Sequence, residues 1–184
     1  MSSAAFLDRD GTLIEDVHFL HRPDDMRLLP GAAKAVRALA AHGILTIVVT
    51  NQSGIARGLI TEQQYEATRR RLEELLAAGG ARLDAQYHCP HHPEISGPCD
   101  CRKPGTDLHP RAALDHGIAL EQSLYVGDRR RDVEPSLALG GLGILVASAD
   151  TPAEEAEWAE RHATREATLG AAVERYLEWV NHLA

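Results

Sequence analysis

No apolar stretch in this 184-residue chain approaches the ~20 residues needed for a membrane-spanning helix. The opening MSSAAFLDRD carries neither a basic stretch nor a long apolar one, so a cytoplasmic location is expected and a secretory leader is not. Positive charge is scarce. The 19 Lys and Arg face 27 Asp and Glu, and a net charge of −8 argues against bulk attraction to nucleic acid or to an anionic membrane. Cysteine is scarce too: the three present all lie between Cys89 and Cys101. A disulfide framework spreads its cysteines along the chain, whereas crowding points to metal. Internal repeats and low-complexity segments are absent, so a monomer built on one core is expected.

Five short apolar runs read as buried strands: Ala4–Leu7, Ile44–Val49, Ala85–His88, Ser123–Val126 and Gly143–Ala147. Most lack strict alternation, as strands covered on both faces do. Helical patterns separate them. GAAKAVRALAAHG stops at Gly43, and Thr61 with Gln64 forms a capping box opening a helix to about Ala78. A shorter helix runs from Pro110 to Gly117, and another is expected over Asp132–Leu139. This alternation predicts an α/β fold with a Rossmann-like, doubly wound parallel sheet over residues 1–150. Residues 151–184 read as a helical extension packed on the same domain. Its first helix opens with a capping box at Thr151–Glu154, and Leu169, Val173, Tyr176, Leu177 and Val180 share a face of the second.

In a sheet of this kind the strand ends share one edge, where ligands bind. The first strand ends at Asp8 with Asp10 just beyond, the second at Thr50-Asn51-Gln52-Ser53, and SLYV at Gly127-Asp128, with Asp132 following. Together these groups fit phosphoryl transfer. Asp8 is placed to attack phosphorus, and Asp10 to protonate the leaving oxygen and later activate water. Mg²⁺, a hard ion preferring oxygen, is expected between Asp8, the carbonyl of Asp10, and Asp128. Asp132 would hold a metal-bound water or orient a basic group. The Thr50 hydroxyl and Asn51 backbone N–H would meet phosphoryl oxygens, and Lys103 would supply positive charge beside the nucleophile. Crowded Cys89, Cys99 and Cys101 lack a fourth metal ligand, for which His88, His91 and His92 all qualify by position.

The stretches FLDRDGT, VVTNQSGIARG, CRKP and VGDRRRD, in this order, resemble the four motifs of the haloacid dehalogenase-like phosphatases over residues 4 to 148. The resemblance implies Asp8 as nucleophile, Asp10 as general acid/base, Thr50 and Lys103 as phosphate binders and Asp128 as a Mg²⁺ ligand. The stretch CPHHPEISGPCDCRKP further resembles the heptose-bisphosphate and histidinol-phosphate phosphatase branch, and that resemblance selects His91. Cys89, His91, Cys99 and Cys101 would then close a structural zinc site bracing the loop 89–103, which ends in Arg102 and Lys103.

No interval between these motifs has room for an inserted domain, so no large cap is expected. Specificity for a small phosphorylated sugar would fall to His18–His21, to Ser53–Arg57 and to the zinc loop. Ser53, Arg57 and Arg102 are the expected substrate contacts. Glu15, Asp16 and His18 read as loop surface ahead of a second reading as sugar contacts, and Arg130 and Arg131 read as ordinary surface. Within the branch, a heptose bisphosphate is the expected substrate and histidinol phosphate the alternative. Two other classes compete. A receiver-like switch needs no second acid two residues past the nucleophile, so Asp10 speaks against it. A zinc-dependent interaction module would leave the strand-end acids idle.

Overall fold

The computed structural model describes residues 1–182. Six parallel strands form one sheet in the order β3-β2-β1-β4-β5-β6. They are β1 (Ala4–Leu7), β2 (Leu45–Asn51), β3 (Ala85–Cys89), β4 (Leu124–Gly127), β5 (Leu142–Val146) and β6 (Thr164–Glu166). Eight helices connect and flank them: α1 (Ala32–Ala41), α2 (Glu62–Ala78), α3 (Pro93–Ser96), α4 (Leu108–His116), α5 (Arg130–Val133), α6 (Pro135–Leu139), α7 (Ala153–His162) and α8 (Leu169–Asn181). Among the described residues no inserted cap domain interrupts this order, and no helix is long and apolar enough to cross a membrane.

Alternation along β1 divides the core into two layers. Ala5 and Leu7 face α1, α2 and α8, packing among Val36, Leu39, Leu72, Leu76, Val173 and Tyr176. Ala4 and Phe6 face the other way, toward Leu108 and Ala112 of α4. Because both faces are covered, every residue of β1 is buried, which is why this strand reads as an unbroken apolar run. The expected capping box of α2 is present: the Gln64 backbone N–H donates to Thr61 Oγ1 (3.1 Å), and the Thr61 N–H donates to Gln64 Oε1 (2.8 Å).

Three expectations need correction. The sheet has a sixth strand, Thr164–Glu166. It is short, polar and at the edge, so it carries no apolar signal. The helical stretch expected over Asp132–Leu139 begins earlier, at Arg130, and is divided into α5 and α6 where Pro135 starts a new turn. Thr151 does not cap α7, whose N-cap position is Pro152 without a side-chain hydrogen bond. The Thr151 hydroxyl instead donates to the backbone oxygen of Asp128 (2.7 Å).

Of the segment 151–184, the last two residues lie outside the described ones. Leu169, Ala172, Val173 and Tyr176 of α8 share one core with α1 and the sheet. The Tyr176 hydroxyl donates to the Gln122 carbonyl (2.8 Å), tying α8 to the turn that precedes β4. Replacing this buried ring leaves a cavity under the sheet. Tyr176→Ala is expected to lower unfolding free energy by about 3–5 kcal/mol, read from urea denaturation.

Candidate active site

The ends of β1, β2, β4 and β5 meet where the strand order reverses, between β1 and β4. They open into a cavity of about 210 Å³ lined by Asp8, Asp10, Thr50, Asn51, Gln52, Ser53, Arg102, Asp128 and Arg131, with residues 16–20 across the mouth. Carboxylate oxygens of Asp8, Asp128 and Asp132 lie within 4.8 Å of one another. Lys103 sits beneath them, 3% exposed. Its ammonium donates to Asp8 Oδ1 (2.8 Å) and to the Val49 carbonyl (2.6 Å), and lies 2.7 Å from Asp132 Oδ1.

Burial opposes the charge of Lys103, but Asp132 and Asp8 outweigh it, so its pKa is raised and the ammonium persists. The third acid is under-compensated. Burial, opposed by a hydrogen bond from Ser148 and reinforced by Asp8 and Asp132, pushes the Asp128 carboxyl up to about 7. Three carboxylates therefore crowd around one ammonium. Such a set of hard oxygen donors fits a divalent cation.

Two glycines make room for this crowding. A Cβ on Gly127 would stand 2.3 Å from Asp132 Cβ, and one on Gly11 would stand 2.5 Å from Asp128 Oδ2. Gly11 also has φ +79°, where a side chain is strained in any case. The turn that follows is tightly knit: Leu13 and Ile14 N–H groups both donate to the Arg9 carbonyl (2.9 and 3.1 Å).

Lys103 reaches the acids from the cysteine loop. Its backbone is docked on Asn51, whose side chain donates to Lys103 O (3.0 Å) and accepts from Lys103 N (3.0 Å). Just before it, ligand atoms of Cys89, His91, Cys99 and Cys101 gather within 4.8 Å. His91 Nδ1 stands 3.3 Å from Cys101 Sγ and 3.7 Å from Cys89 Sγ, and Cys99 Sγ lies 3.6 and 3.7 Å from Cys101 and Cys89. The Cys89 and Cys101 sulfurs are closer, at 2.9 Å, yet all three cysteines are free. Sulfurs each about 2.3 Å from a tetrahedral centre lie about 3.7 Å apart, as Cys99 does from each of the other two, and with three thiols and one imidazole the donor set fits zinc. Of the three candidate histidines, His91 belongs to the cluster, His88 faces Glu62 (3.4 Å), and His92 pairs with Arg57.

Several placements differ from the sequence-based expectation. Arg57 does not line the cavity; its guanidinium lies 2.7 Å from His92 Nε2 on the outside of the cysteine loop. Asp16 and His18 are not mere loop surface but line the cavity, because the chain from Asp16 to Leu20 folds across the strand ends. Arg131 also lines it, held near Asp132, Asp8 and Asp128, whereas Arg130 pairs outward with Glu134. The Asp10 carboxylate is not part of the acid cluster; it accepts from Arg9 and Gln52. Sequence reasoning does not single out Ser148, and it reads Thr151 only as a helix cap. Ser148 Oγ donates to Asp128 Oδ2 (2.6 Å). Their signal was present: they follow GILVA, a fourth strand end on the same edge.

Comparisons with known proteins agree with this architecture. A HAD-hydrolase-like family model matches residues 100–169. A Haemophilus ducreyi protein named D-glycero-beta-D-manno-heptose-1,7-bisphosphate 7-phosphatase is 43% identical over 135 residues, covering 71% of this chain and 74% of that protein. A Thermosynechococcus vestitus protein named D-glycero-D-manno-heptose-1,7-bisphosphate 7-phosphatase is 38% identical over 98% of this chain and 97% of its own length. The crystal structure of the D,D-heptose 1,7-bisphosphate phosphatase from B. bronchiseptica, complexed with magnesium and phosphate, superposes with a TM-score of 0.85. It is 29% identical, with 96% of this chain and 99% of that chain covered.

Below the site, His109 of α4 lies edge-on to Phe6, with ring centroids 5.0 Å apart. Burial, and then the Lys103 charge, push its imidazole down to about 4 from 6.5. Between those values only the unfolded chain takes up the proton. His109 therefore withdraws about 3 kcal/mol of stability as pH drops from about 6.5 toward about 4, while Asp128, with its raised carboxyl, contributes the opposite slope over that range. The difference in urea midpoint between the protein and its His109→Gln variant should isolate the His109 part, narrowing as pH falls; a difference that does not change with pH contradicts the assignment.

Proposed function

The chain belongs to the haloacid dehalogenase-like phosphatases, in the branch of the D-glycero-D-manno-heptose-1,7-bisphosphate 7-phosphatases, and on that premise we propose that it removes the 7-phosphate of a heptose 1,7-bisphosphate. The observation that carries this reading is the pairing of Asp8 with buried Lys103 at the floor of a cavity whose rim holds Asp10 and Asp128.

Asp8 attacks phosphorus in line with the departing C7 oxygen, and Asp10 gives that oxygen its proton. The phosphoryl group is then carried on Asp8 as an acyl phosphate. Asp10, now ionised, takes a proton from water; the water oxygen bonds to phosphorus, the bond to Asp8 breaks, and inorganic phosphate leaves. The Thr50 hydroxyl and Asn51 N–H face the phosphoryl oxygens, and Lys103 offsets their charge. Asp132 holds Lys103 in place (2.7 Å). Asp8, Asp128 and the Asp10 carbonyl would hold Mg²⁺, which would supply positive charge between the carboxylate and the phosphate. Cys89, His91, Cys99 and Cys101 would hold zinc in a closed structural site that would brace the loop delivering Arg102 and Lys103 to the cavity.

Sugar contacts fall to Ser53, Arg102 and the segment 16–20, in place of a cap. Among the described residues Arg102 has no carboxylate partner and donates only to the His91 carbonyl (3.4 Å), which suits it to a second phosphate on the substrate. The enzyme works as a cytoplasmic monomer without nucleic acid or membrane. Its net charge of −8 supports the part of this that concerns nucleic acid and anionic membranes. Residues 151–182 serve as a packed extension of the same domain.

Asp8→Asn should abolish phosphate release from the heptose bisphosphate while circular dichroism remains unchanged; undiminished turnover contradicts the nucleophile. Side-by-side kcat/KM values should favour the heptose bisphosphate over histidinol phosphate, and the reverse order would reassign the substrate. Removing zinc with a chelator should raise amide exchange in residues 89–103 well above that of the sheet. Uniform deprotection would deny the metal a local role.

A further inference from the structure

Asp10 is gripped by two side chains that the reaction steps above do not use. Arg9 Nε donates to Asp10 Oδ2 and Arg9 Nη2 donates to Oδ1, both at 3.0 Å. Gln52 Nε2 donates to the same Oδ2 (3.0 Å) and to Thr50 Oγ1 (3.0 Å). Both carboxylate oxygens are thus held by a planar fork, and one of them a second time from β2's end.

Arg9 is only 1% exposed, an expensive place for a guanidinium unless its partners are well set. The far side of the fork is anchored on α2. Arg9 Nη1 donates to Thr68 Oγ1 (3.3 Å), and the guanidinium carbon lies 5.7 Å from the Tyr65 ring centroid. Thr68 is fixed in turn, its hydroxyl donating to the Tyr65 carbonyl (2.8 Å). The anchor is therefore a helix, not a mobile loop.

The two acids of the motif have different counterions. Asp8 shares the compact charge of Lys103 with Asp132. Asp10 has a two-pronged arginine, which fixes the plane of a carboxylate as well as its position. Asp10 needs that constraint more: its side chain is 21% exposed against 7% for Asp8, so packing alone does not fix its rotamer. A proton carrier misaimed by about 1 Å loses much of its effect.

We propose that Arg9 and Gln52 are positioning residues that aim the Asp10 carboxyl at the leaving oxygen, with α2 as their anchor. This rests on the reading of Asp10 as proton donor, and the test separates the two. The measurement is kcat/KM for the heptose bisphosphate and for para-nitrophenyl phosphate, whose departing phenolate needs no proton. A purely structural defect lowers both alike; a misaimed acid lowers the sugar phosphate selectively.

Arg9→Lys keeps the charge and loses the fork, and should raise the aryl-to-sugar ratio of kcat/KM by about tenfold. Gln52→Leu leaves the ion pair intact and should raise it by about threefold. Asp10→Asn gives the upper limit. If Asp10→Asn raises the ratio and neither Arg9→Lys nor Gln52→Leu does, the positioning role is overturned. If Asp10→Asn leaves the ratio unmoved, the donor reading fails and takes the positioning role with it. Should Arg9→Lys fail to fold by circular dichroism, Gln52→Leu alone decides.

Discussion

The buried contact between the Lys103 ammonium and the carboxylates of Asp8 and Asp132 is the interaction on which the site depends (2.8 and 2.7 Å). Three acids that converge on one sheet edge repel one another, and desolvation makes that repulsion severe. The Lys103 ammonium offsets part of it, and the guanidiniums of Arg131 beside Asp132 and Arg129 beside Asp128 offset more. The carboxylate oxygens gathered in this way would suit a divalent cation. Removing Lys103 from this arrangement would leave Asp8 and Asp132 facing each other without their shared counterion.

Much of the fold serves to place that one ammonium. Strand β2 supplies the Val49 carbonyl that Lys103 meets and the Asn51 side chain that pairs with its backbone on both sides. The cysteine–histidine cluster gathers the loop immediately ahead of it. At the end of β4, Gly127 leaves the space that Asp132 occupies, and in the turn after β1, Gly11 leaves the space that Asp128 occupies. The segment after β5 steadies Asp128 from outside, through Ser148 on its carboxylate and Thr151 on its backbone oxygen. Residues separated by more than a hundred positions thus act on one small volume because parallel strands align their ends there.

How far this was legible from the sequence depended on whether a residue's signal was local. Buried strands announce themselves as apolar runs, so β1, β2, β4 and β5 could be read almost to their ends, and Thr61–Gln64 could be read as a cap because both partners lie within one turn. Asp8, Asp10 and Asp128 could be read because each ends such a run. The edge strand Thr164–Glu166 had no apolar run to give it away. Thr151 looked like a cap by spacing, but a long-range bond to Asp128 took its hydroxyl. Arg57 and Arg131 show the same limit from two sides. Beside similar motifs, one turns outward to His92 and the other lines the cavity, a choice made by loop packing that spacing does not encode. The histidine beside the three cysteines was ambiguous by position, was selected as His91 by resemblance alone, and has its place in the cluster just past the end of β3.

The central claim is that the lysine-braced Asp8 carboxylate itself bonds to phosphorus. It is tested most directly by quenching the enzyme in acid during turnover of the heptose bisphosphate and mapping the phosphorylated peptide by mass spectrometry. Phosphate on Asp8, absent from protein quenched before substrate is added, is the predicted result. Phosphate on a different residue, or none trapped under conditions where hydrolysis of the intermediate limits the rate, would contradict the account.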